Sequence, residues 1–144
     1  MTRIERSALL PYSAQRLFEL VDDIETYPQY MEGCIAATII GRGDDWVEAR
    51  LELKKAGISQ SFATRNRLQH PEKIVMELVD GPFSSFQGEW AFKHLAENAC
   101  KVSLDLKFEL DSKVAHAAAG KLFESVACNL VNALCQRANT LYGK

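Results

Sequence analysis

The chain has 144 residues, of which 47% are hydrophobic and 25% are charged, proportions that are ordinary for a globular protein. Its formal net charge of −2 argues against the broad basic surface of a DNA-binding domain, so we expect no DNA partner. The length fits a single domain over residues 1–144, and no apolar run of about 18 residues predicts a membrane-spanning helix.

The amino terminus and the cysteines both indicate a cytoplasmic protein. Residues 1–7 lack the apolar core of a signal peptide. The four cysteines form no CxxC pair, and no histidine lies at metal-ligand spacing from them. We therefore expect no metal site, and we expect reduced thiols that pack as small core residues. These cysteines are Cys34, Cys100, Cys128 and Cys135.

The first part of the chain predicts one strand followed by two short helices. A weak alternation of apolar residues runs from Ile4 to Leu10, and Ser13 then offers an N-cap. Apolar residues at helical spacing predict a helix from Ala14 to Val21. A second short helical segment, from Ile24 to Met31, contains Pro28.

The middle of the chain changes to the alternating pattern of β-strands. The clearest alternation runs from Cys100 to Leu110, with apolar side chains on one face and polar ones on the other. The loops between successive strands are short, which predicts antiparallel neighbours. The predicted strands are Cys34–Ile40, Trp46–Lys54, Ile58–Gln69, Lys73–Val79, Phe86–Leu95 and Cys100–Leu110.

The end of the chain, from Ser112 to Tyr142, predicts one long amphipathic helix. Asp111 or Ser112 is the expected N-cap, and Gly143 is the expected C-terminal stop. Such a helix needs a large apolar partner surface, because isolated helices are only marginally stable in water. We therefore predict an α+β helix-grip fold. In it, a curved antiparallel sheet of six to seven strands wraps around the C-terminal helix, and two short helices follow the first strand.

Catalytic patterns are weak in this sequence. His70, His94 and His116 are scattered, and each fits a solvated or capping role. Asp22 and Asp23 fit the end of one helix and the start of the next. There is no glycine-rich phosphate loop and no GxSxG motif. We therefore predict no catalytic residue.

Aromatic residues gather in the second half of the chain, and they allow two interpretations. They form an ordinary packed core, or they line a ligand cavity between the sheet and the long helix. Small residues from Ala115 to Gly120 either permit close packing or leave room for a ligand. An apolar ligand pocket usually has a volume of roughly several hundred Å³.

Several segments resemble the coenzyme Q-binding START-like family. One begins with Val21-Asp22-Asp23-Ile24-Glu25 and continues to Tyr30, and another is Leu78-Val79-Asp80-Gly81-Pro82-Phe83 followed by Gly88, Trp90 and Phe92. The strand Leu104–Leu110 and the helix Phe123–Ala138 also fit. The resemblance extends from about Ile4 to Leu141.

The resemblance implies a lipid-sized tunnel and two different functions. In the first, the protein is not an enzyme but binds ubiquinone or a similar isoprenoid quinone and supports respiration, with transient contact at the inner membrane. In the second, the bacterial protein is a toxin that binds the large ribosomal subunit and blocks subunit association. A cyclase-like enzyme is a third alternative, because related helix-grip proteins include polyketide cyclases.

The tunnel is expected to lie against the start of the long helix. We predict that Ala115 to Phe123 face the ligand, while Val126, Leu130, Leu134 and Ala138 mainly seal the core. The full set of expected lining residues is Tyr27, Tyr30, Phe62, Met76, Phe83, Phe86, Trp90, Phe92, Leu104, Leu106, Ala119, Phe123, Val126 and Ala127.

Overall fold

The computed structural model describes residues 2–55, 57–111 and 117–143, with the backbone alone for 117–119. Seven antiparallel strands form one sheet in the order β1-β7-β6-β5-β4-β3-β2, so the predicted α+β fold and antiparallel sheet are confirmed. The strands are β1 (Thr2–Leu10), β2 (Cys34–Arg42), β3 (Trp46–Lys55), β4 (Ile58–Gln69), β5 (Lys73–Asp80), β6 (Phe83–Ala96) and β7 (Ala99–Leu110).

Two short helices follow β1, as the sequence predicts. Helix α1 spans Ala14–Asp22, and the Ser13 side chain caps it by accepting a hydrogen bond of 3.2 Å from the backbone N–H of Arg16. The next helix, Ile24–Gln29, has 3₁₀ geometry and contains Pro28. Together these helices bring apolar side chains to one end of the sheet.

The long helix α2 spans Ala117–Tyr142 and packs across the inner face of the sheet. Leu134 and Ala138 are fully buried there. The predicted N-cap Ser112 and the segment 112–116 lie outside the described residues. At the other end, the backbone N–H of Gly143 still donates to the Asn139 carbonyl at 2.9 Å, in agreement with a helix that stops at this glycine.

Strand β6 begins at Phe83, three residues before the predicted start. Phe83 pairs with Leu110 of β7, and Ser85 pairs with Glu109 across a register shift. The alternation is broken at this shift, which is why the sequence pattern alone places the start of the strand later.

The sheet is interrupted between β5 and β6. These strands pair only from Lys73–Ala91 to Glu77–Gln87. Beyond that point β5 stays paired with β4 up to Asp80, while the first residues of β6 pair with β7. A groove opens between the two strands on the outer face, and its walls include Met76 and Phe86.

Candidate functional site

A small apolar cavity lies between α2 and the inner face of the sheet, with a volume of about 70 Å³. Helix α2 contributes Phe123, Val126, Ala127 and Leu130, whose spacing places them on one helical face. The other lining residues are Val21, Ile24, Tyr27, Met31, Cys34, Ala49, Leu51, Leu53, Phe62, Thr64, Asn66, Met76, Phe86, Trp90 and Leu106.

Most of the residues predicted to line a tunnel surround this cavity. The inward side of each strand supplies them, because alternate residues of a strand point to the same face. The predicted residues that line the cavity are Tyr27, Phe62, Met76, Phe86, Trp90, Leu106, Phe123, Val126 and Ala127.

Other predicted lining residues lie elsewhere. Phe83, Phe92 and Leu104 are buried but pack away from the cavity. Tyr30 lines a surface groove between the 3₁₀ helix and α2. The side chain of Ala119 lies outside the described residues.

The cavity is much smaller than the expected tunnel. A single water molecule needs roughly 10–15 Å³ of such space, so the cavity has room for a few waters and not for a polyprenyl chain. Aromatic rings fill the space instead. Phe62, Phe83, Phe86 and Phe108 surround Phe123, with ring centroids 4.6 to 6.1 Å from that of Phe123.

The cavity also extends about one helical turn beyond the α2 residues that were predicted to line it. Leu130, which was expected only to seal the core, lines it together with Val126, which was named in both predicted sets. The aromatic rings around Phe123 fill the space beside that residue. Leu134 and Ala138 seal the core, as predicted.

Two polar side chains interrupt the apolar lining, and the sequence prediction did not include them. Thr64 and Asn66 on β4 are each only 8% exposed. The Thr64 hydroxyl donates a hydrogen bond of 2.9 Å to the Asn66 side-chain oxygen. The alternation of β4 contained the signal, since Thr64 and Asn66 share a face with Phe62 and Leu68.

The ionisable groups in the cavity wall are held in their neutral forms. Burial raises the pKa of the Tyr27 phenol well above its ordinary value, and nearby Tyr30 adds to the shift. The Tyr27 hydroxyl donates to the buried carbonyl of Val21. Burial likewise raises the pKa of the Cys34 thiol. Neither group is poised as an acid or a base near neutral pH.

The histidines do not gather at the cavity. The ring of His70 packs against Phe18 at a centroid distance of 4.4 Å, His94 is exposed on β6, and His116 lies outside the described residues. Within residues 2–55, 57–111 and 117–143, no cluster of His, Cys, Asp or Glu is arranged to hold a metal ion. No helix in this part of the chain is both long and apolar enough to cross a membrane.

The outer face of the sheet is charged, but most of its arginines are neutralised. Arg65 pairs with Glu48 at 3.4 Å, and Arg67 pairs with Glu77 at 3.0 Å. The end of the β6–β7 hairpin differs in its charge pairing. There Lys93 and Lys101 lie directly opposite each other, and neither forms an ion pair within the described part of the chain.

Comparison with known proteins finds one matching family and close relatives that are named ribosome association toxin. Residues 10–135 match the family described as Polyketide cyclase / dehydrase and lipid transport. The chain is 44% identical over 142 residues to the ribosome association toxin RatA of Pseudomonas aeruginosa, with 99% of each chain covered. It is 42% identical over 144 residues to RatA of Vibrio cholerae, with both chains covered completely.

More distant matches come from one sequence relative and from solved structures that share the fold. The mitochondrial coenzyme Q-binding protein COQ10 of Drosophila melanogaster is 22% identical over 142 residues, which cover 96% of this chain and 59% of that protein. The Zhui aromatase/cyclase from Streptomyces matches with a TM-score of 0.81 at 18% identity, covering 96% and 93% of the two chains. A START superfamily protein from Mycobacterium smegmatis matches with a TM-score of 0.79 at 22% identity, covering 96% of this chain and 98% of that chain.

Proposed function

The chain belongs to the Polyketide cyclase / dehydrase and lipid transport family, and from this premise we propose that it is a toxin of a toxin–antitoxin pair. It binds the large ribosomal subunit and blocks subunit association, without catalysing a reaction. The observation that carries this proposal is the identity of 42–44% over almost the whole chain to relatives named ribosome association toxin. The protein then acts in the cytoplasm, where ribosomes are.

The chemistry of the cavity favours binding over catalysis. Tyr27 and Cys34 keep their protons at neutral pH, because burial raises the pKa of both groups. General acid–base catalysis works best with a group whose pKa lies near the working pH. The likeness to an aromatase/cyclase is at 18% identity and extends to the fold alone.

Sedimentation with purified ribosomal subunits tests the proposal directly. The chain is mixed with separated large and small subunits at low salt, and each mixture is resolved on a sucrose gradient. We expect the chain to travel with the large subunit and to reduce the yield of joined ribosomes when small subunits are added. A chain that stays at the top of the gradient, with an unchanged yield of joined ribosomes, would rule the proposal out.

A second candidate function is the binding of a quinone or similar isoprenoid lipid in the cavity. The apolar lining and the likeness to COQ10 favour it. The space must then enlarge severalfold, and the unbranched side chains of Met31 and Met76 are suited to moving aside. Each buried CH₂ group contributes about 0.8 kcal/mol, so an isoprenoid tail binds without charged contacts.

Extraction of the natively purified chain, followed by mass spectrometry of the lipids, tests this second function. We expect a stoichiometric quinone, or uptake of added ubiquinone, if the cavity is a lipid site. The second function is excluded when the extract contains no quinone and added ubiquinone does not bind. We expect transient contact with the inner membrane only for this second function.

A further inference from the structure

We propose that the cavity binds a small neutral molecule through a carbonyl oxygen, which accepts a hydrogen bond from the side-chain amide of Asn66. The inference rests on the second candidate function, ligand binding in the cavity, and is independent of ribosome association. It adds the polar anchor of the site and the chemical class of its ligand.

Asn66 is fixed in position by its neighbours. It lies on the inner face of β4, between Val47 of β3 and Met76 of β5. The hydroxyl of Thr64 donates to Asn66 Oδ1 at 2.9 Å, and this contact leaves Asn66 Nδ2 as the free end of the amide. The amide group is therefore oriented before any ligand arrives.

The amide nitrogen of Asn66 is the unpaired end of the side chain within the described part of the chain. Among the described residues, no hydrogen bond joins Asn66 Nδ2 to an acceptor. Unlike Tyr30 Oη and Arg137 Nε, it is not sealed by surrounding protein atoms, although the residue is 92% buried. Because Asn66 lines the cavity, the space that Nδ2 borders is the cavity itself. A ligand carbonyl that reaches this donor supplies a directed hydrogen bond inside an otherwise apolar cavity.

Trp90 gives the same wall a second donor. Its indole ring lines the cavity, and its N–H has no acceptor among the described residues. The Tyr27 hydroxyl and the Thr64 hydroxyl already donate elsewhere, so the amide of Asn66 and the indole N–H of Trp90 are the donors that remain for a ligand. Both suit a ligand group that accepts hydrogen bonds, such as a carbonyl oxygen.

The lining also excludes charged ligands. Lys, Arg, Asp and Glu are absent from the residues that line the cavity. A carboxylate, phosphate or ammonium group would lose its water and gain no opposite charge. The fitting class is therefore a compact ketone, ester or quinone ring.

Met76 provides the adjustable part of the wall. Its Sδ-methyl group lies over Gly88, where an added Cβ would approach Met76 Cε to 2.6 Å. The methionine side chain has three rotatable bonds and can rearrange to enlarge the space next to Asn66. Asn66, Met76 and Gly88 are direct cross-strand neighbours, so the enlargement occurs beside the amide.

The test uses three probes of similar size on the ¹⁵N-labelled full chain. Acetophenone carries a carbonyl group, ethylbenzene lacks it, and benzoate carries a charge. We expect acetophenone to bind about tenfold more tightly than ethylbenzene, the effect of one hydrogen bond. Acetophenone should also shift the side-chain amide signal of Asn66, and benzoate should not bind.

Matched variants identify the group responsible. Asn66→Leu should remove the preference for acetophenone, whereas Thr64→Val, which removes the hydrogen bond that orients the amide, should only weaken it. Asn98→Leu makes the same replacement in an exposed turn and should behave as the parent chain does. Circular dichroism establishes that each variant is folded. If Asn66→Leu does not fold, the probe preference and the amide shift of the parent chain decide the question.

Three results would overturn the inference. They are equal affinity for acetophenone and ethylbenzene in the parent chain, binding of benzoate, and an unchanged preference in folded Asn66→Leu. A chain that carries quinone on extraction but shows no role for Asn66 keeps the second function and loses this inference. Ribosome sedimentation is unaffected by any of these outcomes.

Discussion

Among single residues, Tyr27 joins the 3₁₀ helix to α1. Its hydroxyl donates to the Val21 carbonyl, and its ring is buried in the cavity wall. Tyr27→Phe leaves that carbonyl without its partner, so we expect the free energy of unfolding to fall by about 1–2 kcal/mol at pH 7. Urea denaturation measures the change. A variant as stable as the parent chain would show that the bond contributes nothing.

The same residue makes stability depend on alkaline pH. Burial raises the pKa of Tyr27 in the folded chain, while an unfolded tyrosine ionises near 10.0. The unfolded state therefore releases a proton that the folded state keeps, and stability is full below pH 10 and falls as the pH rises above it. We expect Tyr27→Phe to lose less stability than the parent chain between pH 8 and pH 11. Parallel stability curves for the two chains would contradict this expectation.

Two glycines separate the effect of backbone conformation from that of packing. Gly33 has φ +91°, and an added Cβ would lie 2.7 Å from Val126 Cγ2, whereas Gly57 has φ +80° with open space around it. Gly57→Ala should therefore cost about 1 kcal/mol from conformation alone. Gly33→Ala should cost more, about 2–3 kcal/mol, because Val126 must also move. Thermal unfolding of both variants tests the order, and equal losses would contradict it.

At the level of secondary-structure elements, Leu134 is one of the residues that anchor α2 to the sheet. Leu134 is fully buried, while Leu141 is 48% exposed on the same helix. Leu134→Ala should lower the free energy of unfolding by about 2–5 kcal/mol, because it removes packed methyl groups and leaves a cavity. Leu141→Ala is the matched control and should change it by less than about 1 kcal/mol. Similar losses in both variants would mean that the helix is not anchored at Leu134.

The sequence predicts these elements well because their periodicity is strong. The alternation from Cys100 to Leu110 matches β7 closely, and the helical stripe matches α2 within the described residues. The prediction of Leu130 as a sealing residue fails for a different reason. Where the helix leaves free space depends on how the rings around Phe123 fill the space beside that residue, and side-chain packing of this kind has no periodic signature.

The same limit applies to the polar anchor of the cavity. Strand alternation assigns Asn66 to the face of Phe62 and Leu68, so its inward direction follows from the sequence. The unpaired state of its amide nitrogen does not follow from the sequence. It depends on the hydrogen bond from Thr64 to Asn66 Oδ1, and on the lack of an acceptor for Nδ2 among the described residues. Both conditions are set by the arrangement of the side chains in space, which strand alternation does not specify.

At the scale of the whole molecule, the end of the β6–β7 hairpin is a surface suited to weak contact with RNA phosphate. Lys93 and Lys101 are exposed and directly opposed, an arrangement that disfavours the folded state. We expect Lys101→Gln to raise the free energy of unfolding slightly, by about 0.2–1 kcal/mol, and to weaken sedimentation with the large subunit. A change that lowers stability, or leaves ribosome binding intact, would contradict this expectation.

The salt dependence of ribosome binding checks the same surface. Lys93 and Lys101 supply two phosphate contacts at this surface, whereas Arg65 and Arg67 are already paired with carboxylates. The logarithm of the affinity should then fall with the logarithm of salt concentration with a slope of about −2, as for two or three contacts. Arg65→Gln is the control and should leave the slope unchanged.

The short pairing between β5 and β6 divides the sheet into two groups of strands. One contains β1, β7 and β6, and the other contains β5, β4, β3 and β2, with the pairs from Lys73–Ala91 to Glu77–Gln87 joining them. Separating β5 from β6 breaks fewer backbone hydrogen bonds than separating any other pair of neighbouring strands. We therefore expect water to reach the interior most easily between these two strands. In hydrogen exchange, the amides of Glu77 and Gln87 should exchange sooner than those of Val102 and Leu104 in β7.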